Sequence, residues 1–160
     1  MSDSERYNLL RQNAFVFNIQ RLPETMFRVT NVQLPAITVP APNAGYPGVT
    51  QYFPGTFTEF EELIITFLVD ENLKNYEEIF NWITQQRFCT TVGTKPTTNE
   101  MLLSDGTLST LTNASVANRV FFFRDMFPVS ISGIQFDSSV SSPEPIECSV
   151  SFKFSYFEIK

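Results

Sequence analysis

The sequence predicts a mostly β fold: a sandwich or barrel-like subunit with one flanking α-helix and a long protruding hairpin. Three observations carry this reading. Short runs of aromatic and β-branched residues recur along the chain, drawing on 17 phenylalanines, and ten prolines punctuate them. Only one stretch, just after Asp70, switches to a helical period. Between Pro40 and Gly48 the residues are almost all turn formers, flanked by extended runs. At 160 residues the chain is long enough to bury a core of its own, and it reads as a single domain over 1–160.

Residues 1–12 form an N-terminal arm, with weak helical spacing in Tyr7, Leu9 and Leu10. Phe15, Phe17 and Ile19 then alternate with Val16, Asn18 and Gln20, the period of a strand with one buried face. Leu22-Pro23-Glu24 makes a turn. Beyond it Phe27, Val29 and Asn31 alternate with Arg28, Thr30 and Val32, and the short connection predicts that these two strands pair antiparallel. Residues 36–55 read as the long hairpin. Ile37-Thr38-Val39 and residues 49–53 are its arms, and Pro40, Pro42, Asn43, Gly45, Pro47 and Gly48 make an irregular tip. Pro40 and Pro54 suit edges rather than sheet interiors. A surface loop is the bland alternative. The sharper expectation is an arm whose Ile37, Val39, Tyr46, Val49, Tyr52 and Phe53 find their packing partner on another copy of the chain.

Residues 63–69 are nearly all apolar, the pattern of a strand covered on both faces. Leu73, Tyr76, Ile79, Phe80 and Ile83 follow at helical spacing, with Glu77 and Glu78 opposite. Asp70, Glu71 and Asn72 supply the side-chain oxygens and negative charge that a helix start favours, so a helix is expected over 72–84. Residues 85–114 read as an extended loop, with Asp105-Gly106 as a tight turn of a second hairpin. A strand over 115–123 breaks at Arg124-Asp125, turns a corner at Met126-Phe127-Pro128, and gives way to a strand over 129–136 interrupted by Gly133. In the last strand Ile146, Cys148, Val150, Phe152, Phe154 and Tyr156 share one face. Glu147, Ser149, Ser151, Lys153 and Ser155 share the other, which faces water or a polar channel.

Composition speaks against most chemistry. There is no histidine, hence no imidazole metal ligand and no Ser–His or Cys–His pair. Cys89 and Cys148 are too few for a disulfide framework, and both are expected as thiols. No phosphate-cradling glycine loop is present. Glu59, Glu61 and Glu62 fit a solvated strand entrance better than an acid–base pair, and Trp82 fits a helix packed on its core better than a stacking platform. No catalytic residue, metal site or cofactor is expected, and enzymatic activity is disfavoured. A formal charge of −6 disfavours a nucleic-acid binder that neutralises phosphates. With neither a signal peptide nor a membrane-spanning apolar run, the expectation is a soluble protein made in a cytoplasm.

Several landmarks line up in a telling order. Asn13-Ala14-Phe15-Val16-Phe17-Asn18-Ile19 opens the fold, and Val32-Gln33-Leu34-Pro35 precedes the long hairpin. Residues 57–62 lead into a strand ending at Asp70-Glu71, then a helix ending Phe80-Asn81-Trp82. Phe127-Pro128-Val129, Phe136-Asp137 and the closing Val150-Ser151-Phe152-Lys153-Phe154-Ser155-Tyr156-Phe157-Glu158 complete the series. Apart from residues 85–115, the chain resembles the tail tube proteins of contractile-tailed bacteriophages, a family similar to pyocin and type VI secretion tubes. That resemblance implies a virion protein assembled in the host cytoplasm. It implies hexameric rings stacked into a tube inside a sheath, with baseplate and tail terminator proteins as further partners and no membrane. The hairpin would reach the next ring, and a sheet shared by the six subunits would line a channel through which DNA passes without specific binding. Strand alternation then makes Asp137, Glu147, Ser149 and Ser151 candidates for the lumen. Two alternatives stay open: a tube initiator, terminator or baseplate component of the same fold, and a small-ligand-binding β-barrel.

Overall fold

The computed structural model describes residues 9–23, 28–88, 103–139 and 144–160 of the chain. Eleven strands and one long helix are found among them. They are β1 (Phe15–Ile19), β2 (Val29–Gln33), β3 (Ile37–Thr38), β4 (Asn43–Tyr46), β5 (Val49–Tyr52), β6 (Glu59–Phe60), β7 (Leu63–Leu68), α1 (Lys74–Phe88), β8 (Ser104–Leu111), β9 (Ala117–Ile131), β10 (Glu147–Lys153) and β11 (Tyr156–Ile159). Seven strands form one wrapped sheet in the order β1-β8-β9-β10-β7-β2, with β11 beside β9 where β10 leaves off. Every neighbouring pair is antiparallel.

The sheet wraps because β9 is long and bent. Its first half pairs with β8 and β11, and its second half with β10. Two separate strands were expected here, broken at Arg124-Asp125. The backbone instead runs through the break, with Asp125 at a φ of 53°. Asp105 holds the bend. One of its oxygens accepts from Arg124 Nη1 at 2.6 Å, and the other from the Asp125 N–H at 3.2 Å. Asp105 lies inside β8, so it is no hairpin turn, and the expected loop over 85–114 contains a strand. Most of the remainder of that loop, 89–102, falls outside the described residues, as do most of the N-terminal arm and Cys89. On its far side β9 ends at Ile131, and residues 132–137 carry no strand.

The core lies between the two halves of the sheet. Phe17, Ile19, Leu63, Ile65, Phe67, Leu108, Phe123, Met126, Cys148, Val150 and Phe152 face it from the strands, and Leu22, Ile79 and Trp82 seal it. β7 alternates buried and half-buried positions rather than being covered equally on both faces. The helix runs beyond its expected end, and its buried stripe is Asn75, Ile79 and Trp82, with Phe80 exposed. Trp82 sits 5.9 Å from Phe152, with the Arg21 guanidinium 5.2 Å over its ring, so it is core and presents no stacking face. The last strand is interrupted at Phe154-Ser155, which shifts its phase. Phe157, not Tyr156, turns inward in β11.

The expected pairing of the first two strands fails. β1 pairs with β8 and β2 with β7, not with each other. A bulge at Thr30 also changes the face of β2, so Val29 and Val32, rather than Val29 and Asn31, pack on the core.

Asn75 makes the strand-to-helix corner. Its Nδ2 donates to the Leu68 carbonyl at 2.7 Å, and its Oδ1 accepts from the N–H groups of Asp70 and Tyr76. It is the one buried polar residue in the described core. Truncation leaves buried backbone groups unpaired, so Asn75→Ala is expected to lower the unfolding free energy by about 2 kcal/mol. Asn18→Ala, on an exposed position, is expected to change it by less than about 0.5 kcal/mol, with both variants compared by urea titration.

Candidate assembly surfaces

The protruding arm is built in two parts. At its root β3 pairs with β6, placing Ile37 opposite Phe60 and Thr38 opposite Glu59. The arm was expected to be one hairpin joining residues 37–39 to 49–53. The structure gives residues 37–38 a different partner and makes the tip itself regular. β4 pairs with β5 in a register that sets Asn43 against Tyr52 and Tyr46 against Val49. Pro47-Gly48 closes it, and Gly48 takes a φ of 89°, which glycine adopts without steric cost. The Phe53 N–H donates to the Pro42 carbonyl at 3.0 Å. Gly55 lies so close to Pro40 that any side chain there would strike the Pro40 carbonyl.

The root is tied to the body by aromatic rings. Phe60 lies 5.7 Å from Phe154 and 5.5 Å from Phe157, centroid to centroid. Phe121 and Phe123 extend the same cluster. The free part of the arm has no such cover. Ile37, Val39 and Phe53 are about half exposed, while Val49 and Tyr52 reach 67% and 68%, values that a fold closed on itself would avoid for side chains of this size. Tyr46 belongs to β4, but its side chain is outside the described set.

A second surface is the outer face of β10 and its neighbours. Glu147, Ser149 and Ser151 lie there together, opposite the core-facing Cys148, Val150 and Phe152. Ser149 Oγ is 3.1 Å from Thr66 Oγ1 on β7, and Ser151 stands beside Ser130 on β9. Glu147 marks one end of this hydroxyl-rich strip. Lys153 marks the other, 3.9 Å from Glu62. The expected fourth member is not on the strip. Asp137 follows the end of β9, in a turn where its Oδ1 accepts from the N–H and hydroxyl of Ser139 at 2.8 and 2.6 Å.

Among the described residues no three of His, Cys, Asp and Glu come together as a metal site, and no helix is long and apolar enough to cross a membrane. Cys148 is fully buried, its sulfur 3.2 Å from Ser132 Oγ.

No protein-family model and no curated sequence matches the chain. Solved structures do match. A chain of the extended PVC sheath–tube complex, from an extracellular contractile injection system, superposes with a TM-score of 0.65 at 15% identity, over 100% of this chain and 98% of that one. A chain of the anti-feeding prophage cap that terminates its tube gives 0.64 at 17%, over 95% and 91%. Hcp1 from Flavobacterium johnsoniae gives 0.55 at 14%, over 91% and 94%. The chain has the tail-tube fold.

Sequence reasoning missed one feature of this fold. Among the described residues the wrapped sheet does not close. β1 and β2, its two terminal strands, border an open cavity of about 880 Å³ lined by Gln12, Phe15, Phe17, Val29, Asn31 and Val32 among others. A signal for it was present. Residues 12–20 and 29–58 contain no Asp, Glu, Lys or Arg, in a chain where 18% of residues are charged. The seam and the whole arm share this absence.

The Ser139 hydrogen bonds stabilise the charged form of Asp137 and hold its carboxyl below the ordinary value of 3.8. The charged form is favoured in the folded state, so the turn is strengthened above that range and loosened as pH falls through the lowered value. Carbon-13 titration of the Asp137 carboxyl is expected to give a midpoint below 3.8. Ser139→Ala is expected to move it back up.

Proposed function

We propose that this chain is a structural subunit of a contractile-system tail tube. It assembles into hexameric rings that stack, and the bore conducts DNA during ejection. The observation that carries this reading is the arm: an ordered, uncharged hairpin fixed firmly at its root and left with its apolar side chains uncovered. Leaving Val49, Tyr52 and Phe53 in water is unfavourable, and a neighbouring ring would cover them. Ile37, Val39 and Tyr46 belong to the same contact. On this reading the whole chain is one tube domain, and sheath, baseplate and terminator proteins are its further partners in the virion.

Glu147, Ser149 and Ser151 would line the bore, with Asp137 at the rim. A wall of hydroxyls offers a duplex few cationic contacts, and six copies of a chain of formal charge −6 oppose adhesion further. A second reading is a cap, initiator or baseplate ring used once per particle. The similarity to a tube-terminating cap and to a chain of the six-fold symmetrised anti-feeding prophage baseplate favours keeping it.

Negative-stain microscopy of the concentrated protein separates these readings. Long tubes support the tube subunit, single rings support the cap reading, and a persistent monomer overturns both. The arm can be removed cleanly, because Thr38 and Glu59 face each other at its root. Replacing residues 39–58 by Asn-Gly closes β3 and β6 as a two-residue hairpin. The expected product unfolds cooperatively like the full chain and forms no tubes. Tubes of ordinary length from this variant would show that the arm is dispensable.

A further inference from the structure

We propose that β11 is a releasable strap that sets the arm: seated on β9 it fixes the arm root through Phe157, and when it lifts away the arm is free to swing. The inference concerns a single chain and does not depend on the tube reading.

The strap is lightly held. Among the described residues β11 pairs with β9 alone, whereas β10, the strand before it, lies between β7 and β9. β10 buries Cys148, Val150 and Phe152 almost completely. In β11 only Phe157 turns inward, while Tyr156 and Ile159 are about half exposed. Phe154-Ser155 carries no strand and separates the two, so β11 can leave β9 without pulling on β10. A short strand with one ladder and one inward side chain opens locally at far lower cost than the domain unfolds.

The arm root is anchored through that inward side chain. Phe157 packs on Phe123 at 5.5 Å, on Phe154 at 6.0 Å and on Phe121 at 6.3 Å, and it meets Phe60 of β6 at 5.5 Å. The other ring that Phe60 touches, Phe154 at 5.7 Å, itself leans on Phe157. The root has little else to hold its angle. β3 and β6 are two residues each, closed by the Glu61 N–H donating to the Ala36 carbonyl at 3.0 Å. A two-stranded ladder this short has no stability of its own, so the rings decide whether the arm stands at one angle. Lifting β11 withdraws Phe157 and leaves Phe60 on Phe154 alone.

Specific bonds mark both ends of the strap. The Ser155 N–H donates to the Arg124 carbonyl at 3.0 Å, on the residue that Asp105 grips. At the other end Val120 and Lys160 exchange both backbone hydrogen bonds at 2.9 Å, and Lys160 Nζ lies 5.1 Å over the Phe122 ring. Bonded and non-bonded pairs alternate along an antiparallel ladder, so Glu158, two residues before Lys160, exchanges the same pair of bonds with Phe122. The β9 bend and the arm are linked in this way. Asp105 fixes Arg124, Arg124 starts the strap, and Phe157 carries it to the arm root.

The test is a proline in the strap that leaves every ring of the cluster in place. Glu158→Pro removes the N–H that bonds to Phe122. Native-state hydrogen exchange is followed in the full-length chain, diluted below assembly, at three amides: Lys160 in the strap, Glu61 at the arm root, and Val69, which donates to Ile146 where β7 meets β10. In the parent, Lys160 and Glu61 are expected to open together and at lower free energy than Val69. In Glu158→Pro both are expected to exchange at least about tenfold faster, and Val69 to change by a smaller factor. A Glu61 rate that holds while Lys160 accelerates overturns the inference, as does a Lys160 rate that does not change. Acceleration of Val69 equal to that of Glu61 overturns it too, because the strap is then no separate unit. Phe157→Leu keeps an apolar side chain in the cluster and is expected to move Lys160 and Glu61 together by a smaller factor. Unequal shifts of the two count against the strap even if the proline variant does not fold. Spin labels at Thr50→Cys on β5 and Ser109→Cys on β8, with Cys89→Ser and dilution by unlabelled chain, read the arm directly. The distance distribution is expected to be narrow in the parent and broad in Glu158→Pro, and equal widths overturn the proposal.

Discussion

The Asp105 clamp on β9 is the constraint on which this architecture turns. A strand of 15 residues would normally extend one flat sheet. Here one carboxylate binds the Arg124 guanidinium and the Asp125 backbone N–H together, and fixes a bend in the middle of the strand. One half of β9 then carries β8 and β1, and the other half carries β10, β7 and β2. The two halves face each other across Phe17, Phe67, Phe123 and Phe152. The same bend brings β1 and β2 round toward one another, and they remain unpaired.

Direct pairing of β1 with β2 would close the sheet, and the sequence favours it by proximity. Local anchors prevent it. Leu22, immediately after β1, is buried in the core and draws the connection inward. Arg28, immediately before β2, reaches Asp70 at 2.7 Å, and its carbonyl accepts from the Leu68 N–H at 2.9 Å. Both contacts commit β2 to β7. With one end of the connection held in the core and the other on the opposite half of the sheet, the two strands cannot zip together.

Legibility in the sequence followed the range of the interaction. The alternation in β1 and β10 was readable because a strand with one buried face writes its period locally. The switch to helical period after Asp70 was readable for the same reason, though Asn75, a polar residue that the corner buries, was invisible to a hydrophobic pattern. Pairing was not readable, because β1 finds β8 some ninety residues away and no local signal names it. β8 itself was obscured by Asp105-Gly106, which by composition is turn chemistry. The aspartate serves the β9 bend, and the glycine packs against Met126, where a side chain would collide. At the candidate surfaces, the exposed apolar residues of the arm and the alternation of Glu147, Ser149 and Ser151 were legible. Asp137 was taken from strand alternation one residue past a strand expected to end at Phe136, whereas β9 ends at Ile131, and the seam left only the charge-free stretches 12–20 and 29–58 as its signal.

The missing charges distinguish an unfinished edge from a merely exposed one. Soluble proteins protect terminal strands with lysine, inward charge or proline, since an open ladder invites indiscriminate pairing. This chain does place prolines and glycines through its arm, which limits how far any foreign strand could extend along it. On β1 and β2 it places no charged protection. An edge left so is open to pairing along its free ladder.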